Sequence, residues 1–166
     1  MPYKEKTLTQ NLIKKFKYNP FIKSLAKPLA GLVVQHLLIT KNNTESIWEN
    51  SILVPVPMQR TKQKSKGFNQ SQELAKQIGH AINVPAVFDN LIKVKKTKPQ
   101  ARLSAKERQE NLKGAFSVKK PGLFAKKKIF LVDDVYTTGA TMEECAKTLK
   151  KAGAKQIWGI AVAREE

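Results

Sequence analysis

The stretch Ile129–Val132 is an unbroken apolar run, IFLV. It is followed at once by Asp133 and Asp134, then by Val135-Tyr136-Thr137-Thr138-Gly139-Ala140-Thr141. A short apolar run bounded by charged residues predicts a buried strand. Asp133 to Ala140 then predicts a loop. Thr141 to Ala152 predicts a helix that turns Met142, Cys145, Ala146 and Leu149 inward, with Gly153 where a helix C-cap is wanted. Gln156 to Ala163 predicts the next strand. Strand, loop, helix and strand within about 35 residues is a βαβ unit, and such units build parallel sheets with right-handed crossovers.

The loop carries chemistry. In an open parallel sheet, ligands bind at the carboxyl ends of strands. The first amides of a helix lack internal partners and carry positive partial charge. Thr137, Thr138, Gly139, Ala140 and Thr141 therefore offer backbone N–H groups and hydroxyls to one phosphate, and Gly139 lets the chain curl closely around it. Asp133 and Asp134, when ionised, only accept hydrogen bonds, which suits the two hydroxyl donors of a ribose diol. They also suit Mg²⁺, directly or through water. The plain alternative is a strand-to-helix turn capped by a threonine. A Walker loop is absent, and a haloacid dehalogenase-type nucleophile strand would need an aspartate where Val135 stands.

Upstream, residues 4–18 predict a basic amphipathic helix, with Pro20 and Pro28 as punctuation after it. Leu29 to Ile39 predicts a buried helix. Ser51 to Val56 predicts a buried strand ended by Pro55 and Pro57. Arg60 to Gly67 alternates cations with polar residues and predicts an exposed loop. Ser71 to Ala81 predicts a helix with Leu74, Ala75 and Ile78 inward. Val87 to Val94 and Gly114 to Val118 predict further strands. Lys95 to Arg108 predicts a basic mobile loop entering a helix.

Charge and cysteine content narrow the classes. The chain carries 31 basic and 13 acidic residues, a formal net charge of +18. Ile129 to Glu166 holds 5 basic and 6 acidic residues, whereas Lys93 to Lys128 holds 13 and 2. The excess therefore lies outside the C-terminal part. Such a field attracts polyanions, among them nucleic acid, anionic lipid and pyrophosphate-bearing substrates. A solvated lysine-rich surface is the bland alternative. One cysteine, Cys145, and two separated histidines give no disulfide and no zinc cage. The richest apolar stretch is too short to span a bilayer, and the N-terminus lacks a signal-peptide h-region. The cytoplasm is the expected compartment.

The ten-residue string from Val132 to Thr141 resembles the phosphoribosyl pyrophosphate (PRPP) motif of type I phosphoribosyltransferases. Lys17-Tyr18, Pro55-Val56-Pro57, Gly67-Phe68-Asn69-Gln70, Thr97, Gln100, Leu103, Glu107-Arg108, Asn111 and Gly114-Ala115-Phe116 stand upstream of it in order. With them the chain, from about Phe16 to Ala163, resembles the ComF/GntX family of competence-associated phosphoribosyltransferase-like proteins. The resemblance implies an α/β fold with an open, mostly parallel sheet flanked by helices. Residues 1–50 would form a small helical hood, and residues 51–166 the core of the same compact unit. Asp133 and Asp134 would hold the ribose hydroxyls, with Mg²⁺ arriving on the substrate, and Thr137 to Thr141 the 5′-phosphate. Pro57, Met58, Gln59 and Arg60 would form the pyrophosphate turn, with Arg60 pairing an oxygen; the alternative for Arg60 is a surface cation. Lys95 to Arg102 would lie near the loop that closes over PRPP. Asn69 and Gln70 read as a helix cap or a loop tie, and Tyr18 as a packing residue.

The chain departs from its relatives in three places. Hypoxanthine-guanine-type enzymes carry an acid at Thr137, so its absence argues against a purine acceptor of that kind. Many family members begin with a cysteine-rich zinc-binding segment that this sequence lacks; a short branch or an upstream segment would each account for it. Lys66 stands where an arginine commonly precedes Gly67, which keeps the charge but loses the bidentate fork. The expected function is phosphoribosyl transfer to an unnamed acceptor or service in DNA uptake. The alternatives are a non-catalytic PRPP- or nucleotide-binding accessory and a basic single-stranded DNA-binding module. Single-stranded DNA and a competence helicase are the further candidate partners, which would place the chain peripherally at a membrane DNA-uptake complex.

Overall fold

The computed structural model describes residues 8–18, 21–40, 45–97 and 104–164. Strands β1 (Ser51–Pro55), β4 (Lys128–Tyr136) and β5 (Gln156–Arg164) form a parallel sheet in the order β1-β4-β5. The register runs from Ser51 opposite Lys128 to Pro55 opposite Val132, and from Lys128 opposite Gln156 to Tyr136 opposite Arg164. Strands β2 (Leu91–Lys93) and β3 (Phe116–Val118) pair antiparallel beside it. The strand expected over 87–94 is thus only three residues long, preceded by a single bridge from Ala86 to Leu53.

Alternation along β4 divides the core in two. Phe130 and Val132 join Ile13, Phe16, Leu29, Leu74 and Ile78 on one side. Ile129 and Leu131 join Phe124, Cys145 and Leu149 on the other. Successive strand side chains point to opposite faces, so a strand covered on both faces needs the continuous apolar run seen in the sequence.

The first side is closed by helices α1 (Leu8–Lys17), α2 (Ala26–Thr40) and α5 (Gln70–Ile82). In α2 the stripe Ala26, Leu29, Ala30 and Val33 is buried, whereas Leu38 and Ile39 are 59% and 71% exposed. The helix expected to be buried along Leu29–Ile39 is therefore buried on one face only. Pro28 does not interrupt it. It sits in the first turn, where its missing N–H has no intrahelical partner to lose. Between α2 and β1 lies α3 (Glu45–Trp48). On the second side stand α6 (Ala105–Leu112) and α7 (Ala140–Lys151).

Two further readings are corrected. Arg60 to Lys66 is helix α4, not a loop, and Gly67 closes it in the left-handed region at φ 82°, donating its N–H to Gln63 O. Arginine, lysine and glutamine favour helix; no residue of α4 is buried, so no apolar periodicity announced it. Tyr18 is 60% exposed rather than packed. The end of the expected 95–108 loop is α6, opened by a capping box: Glu107 N–H donates to Ser104 Oγ and Ser104 N–H to Glu107 Oε2. Gln100 and Leu103 lie outside the described residues, as do 98–99 and 101–102.

Asn69 and Gln70 behave as ties. Asn69 Oδ1 accepts from Ser71 N–H and caps α5, while its Nδ2 donates to Val56 O at 3.1 Å. Gln70 Nε2 donates to Phe16 O at 3.2 Å. Asn69→Ala removes the cap and strands a buried carbonyl, so it is expected to lower stability by about 2 kcal/mol. Urea unfolding of the variant against the parent checks this.

Candidate functional site

Strand β4 does not stop at Val132. Its ladder with β5 continues through Asp133 opposite Ala161 and Val135 opposite Ala163. The expected loop from Asp133 to Ala140 is therefore only Thr137–Gly139, and both aspartates are held on a strand. This correction tightens the site, because strand backbone fixes the carboxylates more firmly than loop backbone would. The turn enters α7 with Gly139 as N-cap, at φ 79°. Gly139, not a threonine, occupies the cap position. Lacking a side chain, it makes no side-chain cap bond to the start of α7. A Cβ on Gly139 would lie 2.3 Å from Tyr136 Oη, so the tyrosine packs directly against the turn. The Arg164 guanidinium stands 5.6 Å from the Tyr136 ring centroid.

The aspartates are engaged but not consumed. Asp133 Oδ1 accepts from Ser71 Oγ at 2.9 Å and from Asp134 N–H at 2.9 Å. Asp134 Oδ1 accepts from Val135 N–H at 2.8 Å and pairs with Lys17 Nζ at 3.7 Å. Lys66 Nζ donates to Lys17 O at 3.0 Å and lies 5.3 Å from the Phe21 ring centroid. It thereby fastens the C-terminal end of α1 to α4. Burial depresses the Lys66 pKa, with Lys17 and Lys62 adding to that effect and Asp134 opposing it. Arg108 Nη1 donates to Thr137 Oγ1 at 3.4 Å, a long contact that brings α6 to the turn.

Burial and the Asp134 charge raise the Asp133 pKa from 3.8 to about 7, against the opposing hydrogen bonds from Asp134 N–H and Ser71 and the charge of Lys17. Between those two values the folded chain holds a proton that the unfolded chain has released. This contribution to stability is present at low pH and is lost as pH rises through about 7. Asp133→Asn removes the group. The melting temperature of the variant relative to the parent is therefore expected to improve steadily between pH 4 and 7.5, and a thermal-denaturation series in that range measures it.

The expected pyrophosphate turn lies beside this site. Pro55 pairs with Val132, and Val56 N–H donates to Val132 O at 2.8 Å, so the chain leaves β1 for Pro57 level with Asp133. Arg60 is the first residue of α4 and is exposed. Pro57, Met58 and Arg60 line a cavity that Asp133, Asp134 and Thr137–Thr141 do not line. The structure thus joins the two aspartates to the threonine turn, and sets Arg60 at the start of the neighbouring helix α4. Gln59 is the N-cap residue of α4, without a side-chain cap bond.

Four side chains at the site carried no assigned site contact in the sequence reading: Lys17 as partner of Asp134, Ser71 as donor to Asp133, Arg108 at Thr137, and Lys66 as the tether. Lys17, Lys66 and Arg108 were visible as parts of family-like motifs. Their contacts span separations of 29 to 117 residues along the chain, which no periodicity reveals. Among the described residues no group of histidine, cysteine and acidic side chains could hold a metal as a protein cage, and no helix is long and apolar enough to cross a membrane.

Residues 22–165 match the phosphoribosyl transferase domain family. Competence protein F of Haemophilus influenzae is 39% identical over 112 residues, covering 66% of this chain and 49% of that protein. DNA utilization protein YhgH of Salmonella typhimurium is 35% identical over 138 residues, covering 81% and 59%. Competence protein ComFC of Streptococcus pneumoniae is 34% identical over 113 residues, covering 67% and 47%. The chain thus spans about half the length of these relatives. Among solved structures, the B. subtilis glutamine phosphoribosylpyrophosphate amidotransferase complexed with ADP and GMP superposes with a TM-score of 0.58 at 19% identity, covering 93% of this chain and 30% of that one. That likeness carries the type I phosphoribosyltransferase fold. By fold, family match and relatives together, the chain belongs to the phosphoribosyl transferase domain family and, within it, to the ComF family.

Proposed function

We propose that the chain binds PRPP, or a ribose 5-phosphate like it, with the diol toward Asp133 and Asp134 and the 5′-phosphate in the Thr137–Thr141 turn. The observation that carries this reading is the pair of adjacent carboxylates on β4, a short turn ahead of a helix start whose N-cap is a glycine in the left-handed region. Backbone donors at a helix start favour an anion, and carboxylates beside them favour hydroxyl donors.

The reaction this arrangement suits is displacement of pyrophosphate from C1. An acceptor's lone pair forms the new bond to C1. The C1–O bond breaks with its electrons passing to pyrophosphate, and the acceptor's proton leaves to solvent or to the departing anion. The oxygen donors of Asp133 and Asp134 would hold Mg²⁺, directly or through water, and the ion would supply charge neutralisation for the leaving group. Lys17 neutralises Asp134 and orients it, and Arg108 and the α7 amides position the phosphate turn. Arg60, at the start of α4, meets a pyrophosphate oxygen once substrate spans the threonine turn and the Pro57–Gln59 turn. In line with the names of its relatives, the chain serves DNA uptake or utilization.

Titration calorimetry with PRPP and Mg²⁺, followed by a pyrophosphate-release assay over an acceptor panel, tests this reading. Saturable, Mg²⁺-dependent binding with release for at least one acceptor is expected. Binding without release across the panel would leave a non-catalytic PRPP-binding accessory. Absence of binding would remove the site. The net charge of +18 favours a second reading, a single-stranded DNA-binding role beside a competence helicase. It predicts affinity that falls steeply with salt, because phosphate contacts release counterions; a shallow slope counts against it.

A further inference from the structure

The parallel sheet has two edges, and the chain covers only one of them. At the β1 edge, Leu53 N–H donates to Pro85 O at 2.9 Å and Val87 N–H donates to Leu53 O at 2.8 Å, so the segment Pro85–Val87 lies along that strand. At the other edge, β5 has a strand neighbour on its β4 side only, among the described residues. Sheet edges are usually guarded by lysine, proline, a bulge or a very short strand. β5 has none of these guards. It runs nine residues, Gln156–Arg164, keeps one constant register against β4, and carries no proline and no charge before Arg164.

Helix α2 stands beside the same edge. Between them lies a groove of about 290 Å³, lined by Leu32, Val33, His36 and Leu37 of the helix and by residues 159–162 of the strand. Apolar surface continues past the groove. Trp158 is 48% exposed and, by strand alternation, shares the face of Ile160 and Val162. Leu38 and Ile39, on α2, are exposed as well.

Charge decides what can cover this face. The chain carries a net charge of +18, with histidine counted as neutral. The only charged side chains in α2 and β5 are Lys27, near the start of the helix, and Arg164, at the end of the strand. An acidic partner would be drawn to the lysine-rich surfaces elsewhere on the molecule. Two copies of a strongly cationic chain meet with least repulsion through the face that lacks charge. The edge also complements itself. Antiparallel pairing about Ile160 sets Trp158 opposite the partner's Val162, on the face that carries α2. An aromatic ring opposite a β-branched side chain is a favourable cross-strand pair.

We propose that two copies of this chain join through β5, antiparallel, into one continuous sheet, with the α2 helices flanking the joint. The pairing does not depend on what the Asp133–Thr141 turn binds.

The test is sedimentation velocity of the full chain from low to high micromolar concentration at two salt concentrations, with hydrogen–deuterium exchange on the same samples. A species of twice the chain mass is expected. It should gain population as salt rises, because salt screens the repulsion between two cationic bodies. Exchange of the β5 amides should slow as the dimer fills. Trp158→Lys places an ammonium in an apolar joint and should weaken self-association by about tenfold or more. Leu38→Lys should weaken it by about threefold or more, and its greater exposure keeps the test valid even if Trp158→Lys folds poorly. Both variants should leave PRPP binding within about twofold, since neither residue lies at the phosphate turn. A chain that stays monomeric throughout would overturn the proposal, whatever else docks on the edge. So would a dimer that neither lysine variant weakens, or one that forms without slowing exchange in β5. A dimer that dissociates as salt rises would overturn it too, because a polyanion such as nucleic acid would then be bridging the copies.

Discussion

Replacing Asp133 and Asp134 together by asparagine is expected to weaken PRPP binding at least 100-fold and to leave the fold intact. Above about pH 7, where Asp133 has lost its proton, each carboxylate offers a charged acceptor to a ribose hydroxyl, and a hydrogen bond to a charged group contributes roughly 1.5–3 kcal/mol. Two such losses amount to about 3–6 kcal/mol, or a factor of at least 100 in affinity. The amide oxygens remain acceptors, but the charge that draws Mg²⁺ to the diol is gone. Stability should hold for a separate reason. The Asp133 carboxylate is disfavoured by burial and by its neighbour, so a neutral amide relieves repulsion there. At Asp134 the pair with Lys17 is long, at 3.7 Å, and its loss is small. Calorimetry with PRPP and Mg²⁺, beside thermal denaturation of the same preparation, reads both halves. Retained affinity in a folded double variant would withdraw the ribose assignment.

Phe16→Ala is expected to cost about 3–5 kcal/mol of stability, the usual range for emptying a buried phenylalanine site. Phe16 has no exposed surface and stacks at 5.7 Å, tilted, on Phe68. Its carbonyl receives the Gln70 amide. One side chain thus holds α1 against the start of α5. For a chain of this length the loss corresponds to a fall in melting temperature on the order of 10 °C. The next residue, Lys17, pairs with Asp134, so loosening α1 also frees the site's cation. A thermal scan that shows a fall of only a degree or two would mean that α1 contributes little to the fold. Lys17→Met separates the two effects: it should leave the melting temperature nearly unchanged and alter ligand affinity alone.

The C-terminal half of the fold was legible because a buried parallel strand must be apolar on both faces. Ile129 to Val132 announced β4, and the spacing of Met142, Cys145 and Leu149 announced the inner face of α7. Helix α4 was not legible, since a helix that buries nothing has no period to read. The small hairpin was legible only in part, because three residues carry too little alternation. At the site, the aspartates and the threonine turn were contiguous and therefore readable as one string.

Local order along the chain was enough to set a sugar-phosphate loop between a buried strand and a helix, because neighbours in sequence stay neighbours at a strand end. The extent of the strand was not so determined: Asp133 and Asp134 became strand residues because the β5 backbone pairs with Asp133 and again with Val135, and charged side chains alone would end it earlier. The partners of those acids, Lys17 from α1 and Ser71 from α5, come from far along the chain. Only packing of the helices over the sheet brings them together, since contact across such separations depends on the whole core and not on any local preference.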